Sequence, residues 1–166
     1  MPRIVLRDVT HPEGGRCSVL VAEGVIKAIE PDIAAEGGGT VLDCAGALLL
    51  PSFVDAHVHL DKTRFGGPRL SHPVTASVAE RAANERRLRK ELRHDPYRFG
   101  SRLVRELSRL GTTHIRSHVD IDPDTGLAPV EACLRIREDF RDSMSIQLVA
   151  FPQSGILASP GVSALM

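Results

Sequence analysis

The sequence carries no excess of charge of either sign. Lys and Arg together number 21, as do Asp and Glu, so the formal net charge at pH 7 is zero. That balance gives no support to nucleic acid or a membrane surface as partner. Cysteine is scarce: Cys17, Cys44 and Cys133 are odd in number, far apart, and form no C-x-x-C pair. Neither a disulfide framework nor a cysteine-based zinc site is indicated. Long apolar runs are missing too. No stretch approaches the ~18 residues of a membrane span, and the start MPRIVLRDVT has no basic-then-apolar leader. A soluble protein in a reducing, cytoplasmic setting is the expectation.

What is present suits an ordinary globular core: 166 residues, 42% hydrophobic and 25% charged. Residues 3–9 read as a strand. Cys17–Ala22 and Val25–Ile29 follow as a hairpin about Glu23–Gly24. Thr40–Asp43 and Ala47–Leu50 are again strand-like, so residues 1–50 read as a small group of short antiparallel strands without chemistry of their own.

The pattern changes at PSFVDAHVHLDKT, residues 51–63. Residues 53–59 read as a strand, in which His57 and His59 project to one side because alternate side chains share a face. Two imidazoles in one space are a candidate pair of ligands for a divalent metal. The other reading is two histidines sharing a strand face beside a polar loop. Residues 74–93 have helical composition with a weak apolar stripe of Val74, Val78, Ala82 and Leu88. Their Arg run is interleaved with Glu80, Glu85 and Glu91 and reads as a solvated face.

A second helix starts at N-cap Asp95 with Pro96 in its first turn. It buries Leu103, Val104, Leu107 and Leu110 and stops at Gly111. Thr112–Val119 is the next strand. Pro129 opens a helix with Val130, Cys133, Leu134 and Phe140 as its apolar positions, Cys133 as a core residue. Ser145–Phe151 is a third strand, and the final residues start another helix. Alternation of this kind implies parallel strands with helices packed outside.

In such architectures ligands bind beyond the carboxyl ends of the strands. Those ends carry His57, His59, Asp61 and Lys62; then His118 and Asp120; then Gln153. His114 lies deeper in its strand and reads as structural. Asp61 and Lys62 read as pairing with each other or with solvent. Gln153 offers both a donor and an acceptor, which suits the edge of a planar, amide-like ring.

PSFVDAHVHLDKT resembles the first metal-binding strand of the amidohydrolase superfamily. GTTHIRSHVDID and SIQLVAFPQSGIL are similar to the second and third strand regions of cytosine deaminases and related heterocycle deaminases. The resemblance implies an α/β fold: a partial TIM-type (β/α) barrel of the first three strands over residues 51–166. A small antiparallel β-sandwich segment over residues 1–50 precedes it. It implies a hydrolase acting on a non-peptide C–N bond by deamination of cytosine or a similar N-heterocycle, with a divalent iron or zinc ion. His57 and His59 become metal ligands and Gln153 the ring contact, while His118 lies near the site without a role.

The family's barrel has eight strands over ~250 residues, and its third metal-ligating histidine, catalytic glutamate, later histidine and final aspartate come from strands beyond the third. The chain therefore reads as an N-terminal fragment exposing two sheet edges and an apolar inner face. It would be completed as a homo-oligomer or by a complementing C-terminal half. Two other readings stand beside deamination: an inactive remnant, and hydrolysis of a cyclic amide or aminotriazine.

Overall fold

A computed structural model describes residues 3–34, 38–68 and 77–166. The chain divides into two compact units, Met1–Pro51 and Ser52–Met166.

The first unit is a four-stranded sheet of β1 (Ile4–Thr10), β2 (Arg16–Ala22), β3 (Val25–Glu30) and β4 (Thr40–Asp43), in the order β3-β2-β1-β4. The β2–β3 hairpin turns through Glu23 (φ 55°) and Gly24 (φ 75°). Two consecutive left-handed residues match the twist of the flanking strands, and glycine supplies one at no steric cost. The expectation of purely antiparallel strands is corrected at β4, which pairs parallel to β1 from Ile4↔Thr40 to Arg7↔Asp43. β4 lies beside β1 on the side away from β2 and runs in the same direction as β1. Ala47–Leu50 is not a full strand. It joins the sheet through one bridge, Thr10↔Leu48, flanked by Thr10 N–H to Ala47 O and Leu49 N–H to Thr10 O, each 2.9 Å. Val9, Cys17 and Val19 form the core of this unit.

The second unit holds a parallel sheet in the order β5-β6-β7: β5 (Phe53–Val58), β6 (Thr112–Asp120) and β7 (Ser145–Phe151). Between β5 and β6 lie α1 (Val78–Glu91) and α2 (Pro96–Arg109); α3 (Ala128–Asp139) links β6 to β7, and a short α4 (Val162–Leu165) follows. Asp95 caps α2 as its spacing predicts, its Oδ1 accepting Arg98 N–H at 3.0 Å. Gly111 ends the helix with φ 92°. α1 starts at Val78 under a complete capping box between Ser77 and Glu80; Val74 lies outside the described residues.

Ile115, Ser117 and Val119 of β6 face the helices and are buried. With Leu60, Val104, Cys133, Ile136, Met144 and Ile146 they make the core, apart from Ser117. Each such apolar side chain contributes about 1.5–3 kcal/mol on burial. Ser117 is satisfied there by accepting Leu60 N–H at 3.1 Å.

Three expectations are corrected. Leu110 is 57% exposed, because it is the C-cap of α2 and its stripe has rotated away from the core. Val78 is 70% exposed, and Ala82 is the sole buried residue of α1. The opposite face of the sheet is largely polar, with His114, Arg116 and His118 alternating along β6 and Arg116 Nε donating to Gln147 Oε1 of β7 at 2.7 Å.

Candidate metal and substrate site at the strand ends

The carboxyl ends of the three parallel strands converge, and the sequence-predicted residues lie there. β5 ends at Val58, so His57 is in the strand and His59 just beyond it. An irregularity in the β5–β6 register between Asp55 and Val58 gives β5 an extra residue, as a bulge does where a side chain is re-aimed. The His57 and His59 ring centroids are 5.3 Å apart with planes at 61°. His118 joins them from β6, stacked on His57 at 4.3 Å and 5.9 Å from His59. Phe151 closes the group from β7, 5.6 Å from His59 and edge-on to His118 at 6.0 Å.

Burial, assisted by the Lys62 charge, lowers the pKa of His59 below its ordinary value against the opposing effect of the His118 backbone and Asp120. Desolvation, then His57 and Arg116, lowers that of His118. Lowered values favour neutral imidazole, the form that ligates metal. The Nδ1 atoms of His59 and His118 are both buried without a hydrogen-bond partner. A metal would take up such an orphaned nitrogen on His59, so the pair His57 and His59 fits as part of a ligand set. It is only a part. Among the described residues no group of three or more His, Cys, Asp or Glu side chains is arranged to hold a metal ion. His118 stacks on His57 rather than completing such a set.

Beside the imidazoles lies a charged network. Asp61 is fully buried, and its Oδ2 accepts Asp120 N–H at 3.0 Å. Lys62 does not pair with Asp61. Its Nζ donates to Asp120 Oδ1 at 3.1 Å and to Gln153 Oε1. From α1, Arg89 Nη2 donates to Asp120 Oδ2 at 3.2 Å and Nη1 lies 3.6 Å from Asp61 Oδ2. Arg86 Nη1 reaches Ser154 Oγ at 2.5 Å and Asp122 Oδ2 at 3.5 Å. The expected solvated Arg face is thus corrected at two positions, because Arg86 and Arg89 find carboxylates at the strand ends.

Arg86, Arg89, Asp122 and Ser154 are site residues that composition did not mark. The signal lay in spacing: Ala82, Arg86 and Arg89 fall at i, i+4 and i+7, one face of a helix. Gln153, together with Ala82, Arg86, Asp122 and Ser154, lines a cavity of about 700 Å³. No hydrogen bond joins Gln153 to either imidazole among the described residues. No helix in them is long and apolar enough to cross a membrane.

No family model matches the chain. It is 36% identical over 146 residues to the N-isopropylammelide isopropyl amidohydrolase of Pseudomonas sp. strain ADP, an overlap of 82% of this chain and 34% of that protein. The crystal structure of N-isopropylammelide isopropylaminohydrolase from Burkholderia multivorans superimposes with a TM-score of 0.89 at 38% identity, over 99% of this chain and 41% of the other. The 5-methylcytosine deaminase of Klebsiella pneumoniae, liganded with phosphonocytosine, does so with a TM-score of 0.68 at 26% identity, over 99% and 40%. The chain thus spans well under half the length of these proteins. From the His-x-His strand, the parallel sheet behind it and these relatives together, the chain belongs to the amidohydrolase superfamily.

Proposed function

We propose that the protein of which these residues are part is a metal-dependent hydrolase that cleaves an exocyclic C–N bond on an N-heterocycle. The observation that carries this reading is the juxtaposition of His57 and His59 at the carboxyl end of a parallel sheet, with an unpartnered, buried Nδ1 on His59. His57 and His59 are two ligands of a divalent iron or zinc ion, which when bound makes hydroxide available from water near neutral pH. Phe151 packs against the His59 ring. Gln153 hydrogen-bonds the heterocycle from the adjoining cavity.

Catalytic zinc sites ordinarily have three protein ligands, so the remaining ligand and the group that moves the proton lie outside the described residues. The ring favoured is of the N-isopropylammelide kind rather than cytosine. That preference is supported by the higher identity and TM-score to the protein named for it. Ala79 and Ala82 also leave a small-side-chain wall on the cavity next to Gln153, suited to an alkylamino substituent.

The test is zinc affinity by equilibrium titration, for the wild type, His57→Ala and His59→Ala. Weak zinc binding by the wild type, weakened further in both variants, is the expected result; equal affinity in all three overturns the ligand assignment. Isopropylamine release from N-isopropylammelide and ammonia release from cytosine are followed on the same samples. The 166 residues alone are expected to show neither, because two imidazoles do not complete the site.

A further inference from the structure

The Gln153 amide is held by its oxygen. Lys62 Nζ donates to Gln153 Oε1, and an ammonium is accepted only by the oxygen end of a carboxamide, so the orientation of the amide follows from chemistry. Among the described residues nothing accepts from the Gln153 NH2 group, and Gln153 lines the cavity of about 700 Å³.

Lys62 is held in turn. Its side chain is 13% exposed and donates to Asp120 Oδ1, whose carboxylate is 5% exposed. The second Asp120 oxygen takes Arg89 Nη2 at 3.2 Å, from a side chain only 10% exposed. The relay Arg89–Asp120–Lys62–Gln153 therefore runs from α1 across the ends of β6 and β5 to the residue that follows β7. A buried carboxylate that loses one cationic partner binds the remaining one more tightly. Without Arg89, both Asp61 and Asp120 would compete for the Lys62 ammonium, with Glu85 Oε1 already 4.0 Å away. Lys62 would be drawn off Gln153, and the amide would be free to turn.

We infer that Arg89 is a positioning residue: through Asp120 and Lys62 it fixes the Gln153 amide with its two N–H donors toward the cavity. Resting on the reading of Gln153 as the ring contact, this names the edge recognised. It is an edge that carries an acceptor, such as a ring carbonyl oxygen, for those N–H donors.

The sequence makes the test direct, because Gln147 and Gln153 are its only glutamines. Their side-chain NH2 resonances, observed in the full chain labelled with 15N-glutamine, separate a positioning role from simple anchoring of α1. Arg89→Met and Lys62→Met are each expected to move the Gln153 pair toward the position of a free amide. The double variant should move it no further than Lys62→Met alone. Gln147, tied to Arg116, should stay in place and reports the fold. Arg89→Lys, which retains charge but not the two-pronged grip on Asp61 and Asp120, should fall between.

A Gln153 pair unmoved in Lys62→Met overturns the relay. One that moves in Lys62→Met and not in Arg89→Met leaves Arg89 as an anchor only. Should Arg89→Met unfold, Gln147 also shifts to the free position, and Arg89→Lys decides by the same criteria. Added N-isopropylammelide, whose ring carbonyl oxygens are acceptors, is the probe for the edge. It is expected to move the Gln153 pair in the wild type and not in Lys62→Met. A pair that answers to Arg89→Met and ignores N-isopropylammelide keeps the positioning role and overturns Gln153 as the ring contact.

Discussion

Asp61 Oδ2 accepts the backbone N–H of Asp120 at 3.0 Å, fastening the residues after β5 to the end of β6 through a carboxylate with no solvent exposure. Its other oxygen, Oδ1, is buried without a hydrogen-bond partner and lies 3.8 Å from His59 Nδ1. Burial, with the neighbouring Asp120 charge, pushes the Asp61 pKa up to about 6, against the Asp120 N–H bond and the Lys62 and Arg89 charges. A raised carboxyl pKa means the native state keeps a proton that the unfolded chain has lost.

That difference has a definite sign. Between the ordinary carboxyl value of 3.8 and about 6 the unfolded state binds fewer protons at this group, so its contribution to stability falls as pH rises. The loss is complete above the folded value and amounts to about 3 kcal/mol. Asp61→Asn keeps an oxygen for the Asp120 N–H and removes the titration. Urea unfolding at pH 4.5 and at pH 7 is expected to show the variant gaining on the wild type as pH rises. Parallel profiles for the two proteins would sink the assignment.

Much of this was legible because it is local. The Asp95 cap, the Gly111 stop, the Glu23–Gly24 turn and the alternation that puts His57 and His59 on one side each depend on a few neighbouring residues. What escaped depends on the third dimension. The parallel pairing of β4 with β1 joins segments far apart in the chain. Arg86 and Arg89 look like Arg87 in sequence, yet Arg87 pairs with Glu91 on the surface while the other two reach buried carboxylates. The polar character of the sheet face at His114, Arg116 and Gln147 hides in strands whose other positions are apolar. Lys62 beside Asp61 suggests a pair, but adjacent residues point apart, and Lys62 bonds Asp120 instead.

Gly100 has the closest surroundings of the glycines described in the second unit. A Cβ built there would lie 2.6 Å from Ile136 Cδ1 and 2.9 Å from Leu60 O. The methyl can move, but the backbone oxygen between β5 and α2 cannot without displacing the chain after His59. Gly100→Ala is therefore expected to destabilise, even though alanine is favoured over glycine in a helix by about 1 kcal/mol. Overpacking of this kind costs about 1–3 kcal/mol, and contact with a backbone oxygen puts Gly100 toward the upper end, a net loss of up to about 2 kcal/mol that a urea titration resolves. An unchanged or raised midpoint would show that α2 sits further from Leu60 than described.

The three cysteines report on the fold without any ligand. Cys133 is fully buried in α3, and desolvation, with the Asp61 charge, raises its thiol pKa to about 12. Cys17 is also buried, whereas Cys44 is partly exposed. Thiolate is the reactive form, so iodoacetamide at pH 8 is expected to modify Cys44 first and Cys133 only at the rate of unfolding. Mass spectrometry of peptides from a timed reaction reads the order. Early labelling of Cys133 would mean that α3 does not pack as found.

Helix α1 is attached differently from α2 and α3. Ala82 is its single buried residue, and its ties to the strand ends are ionic and polar: Arg86 to Asp122 and Ser154, Arg89 to Asp61 and Asp120. A helix that buries so little apolar surface opens easily once such partners are lost. Hydrogen bonds to charged groups contribute about 1.5–3 kcal/mol each, so Arg86→Met is expected to speed amide exchange across residues 78–91 by about tenfold or more. Residues 96–109, packed through Val104 onto the core, should exchange as in the wild type. Hydrogen–deuterium exchange read by mass spectrometry compares the two segments in one sample. If α1 and α2 respond alike, the helix is held by its packing and not by its arginines, and Arg86 is a surface residue after all.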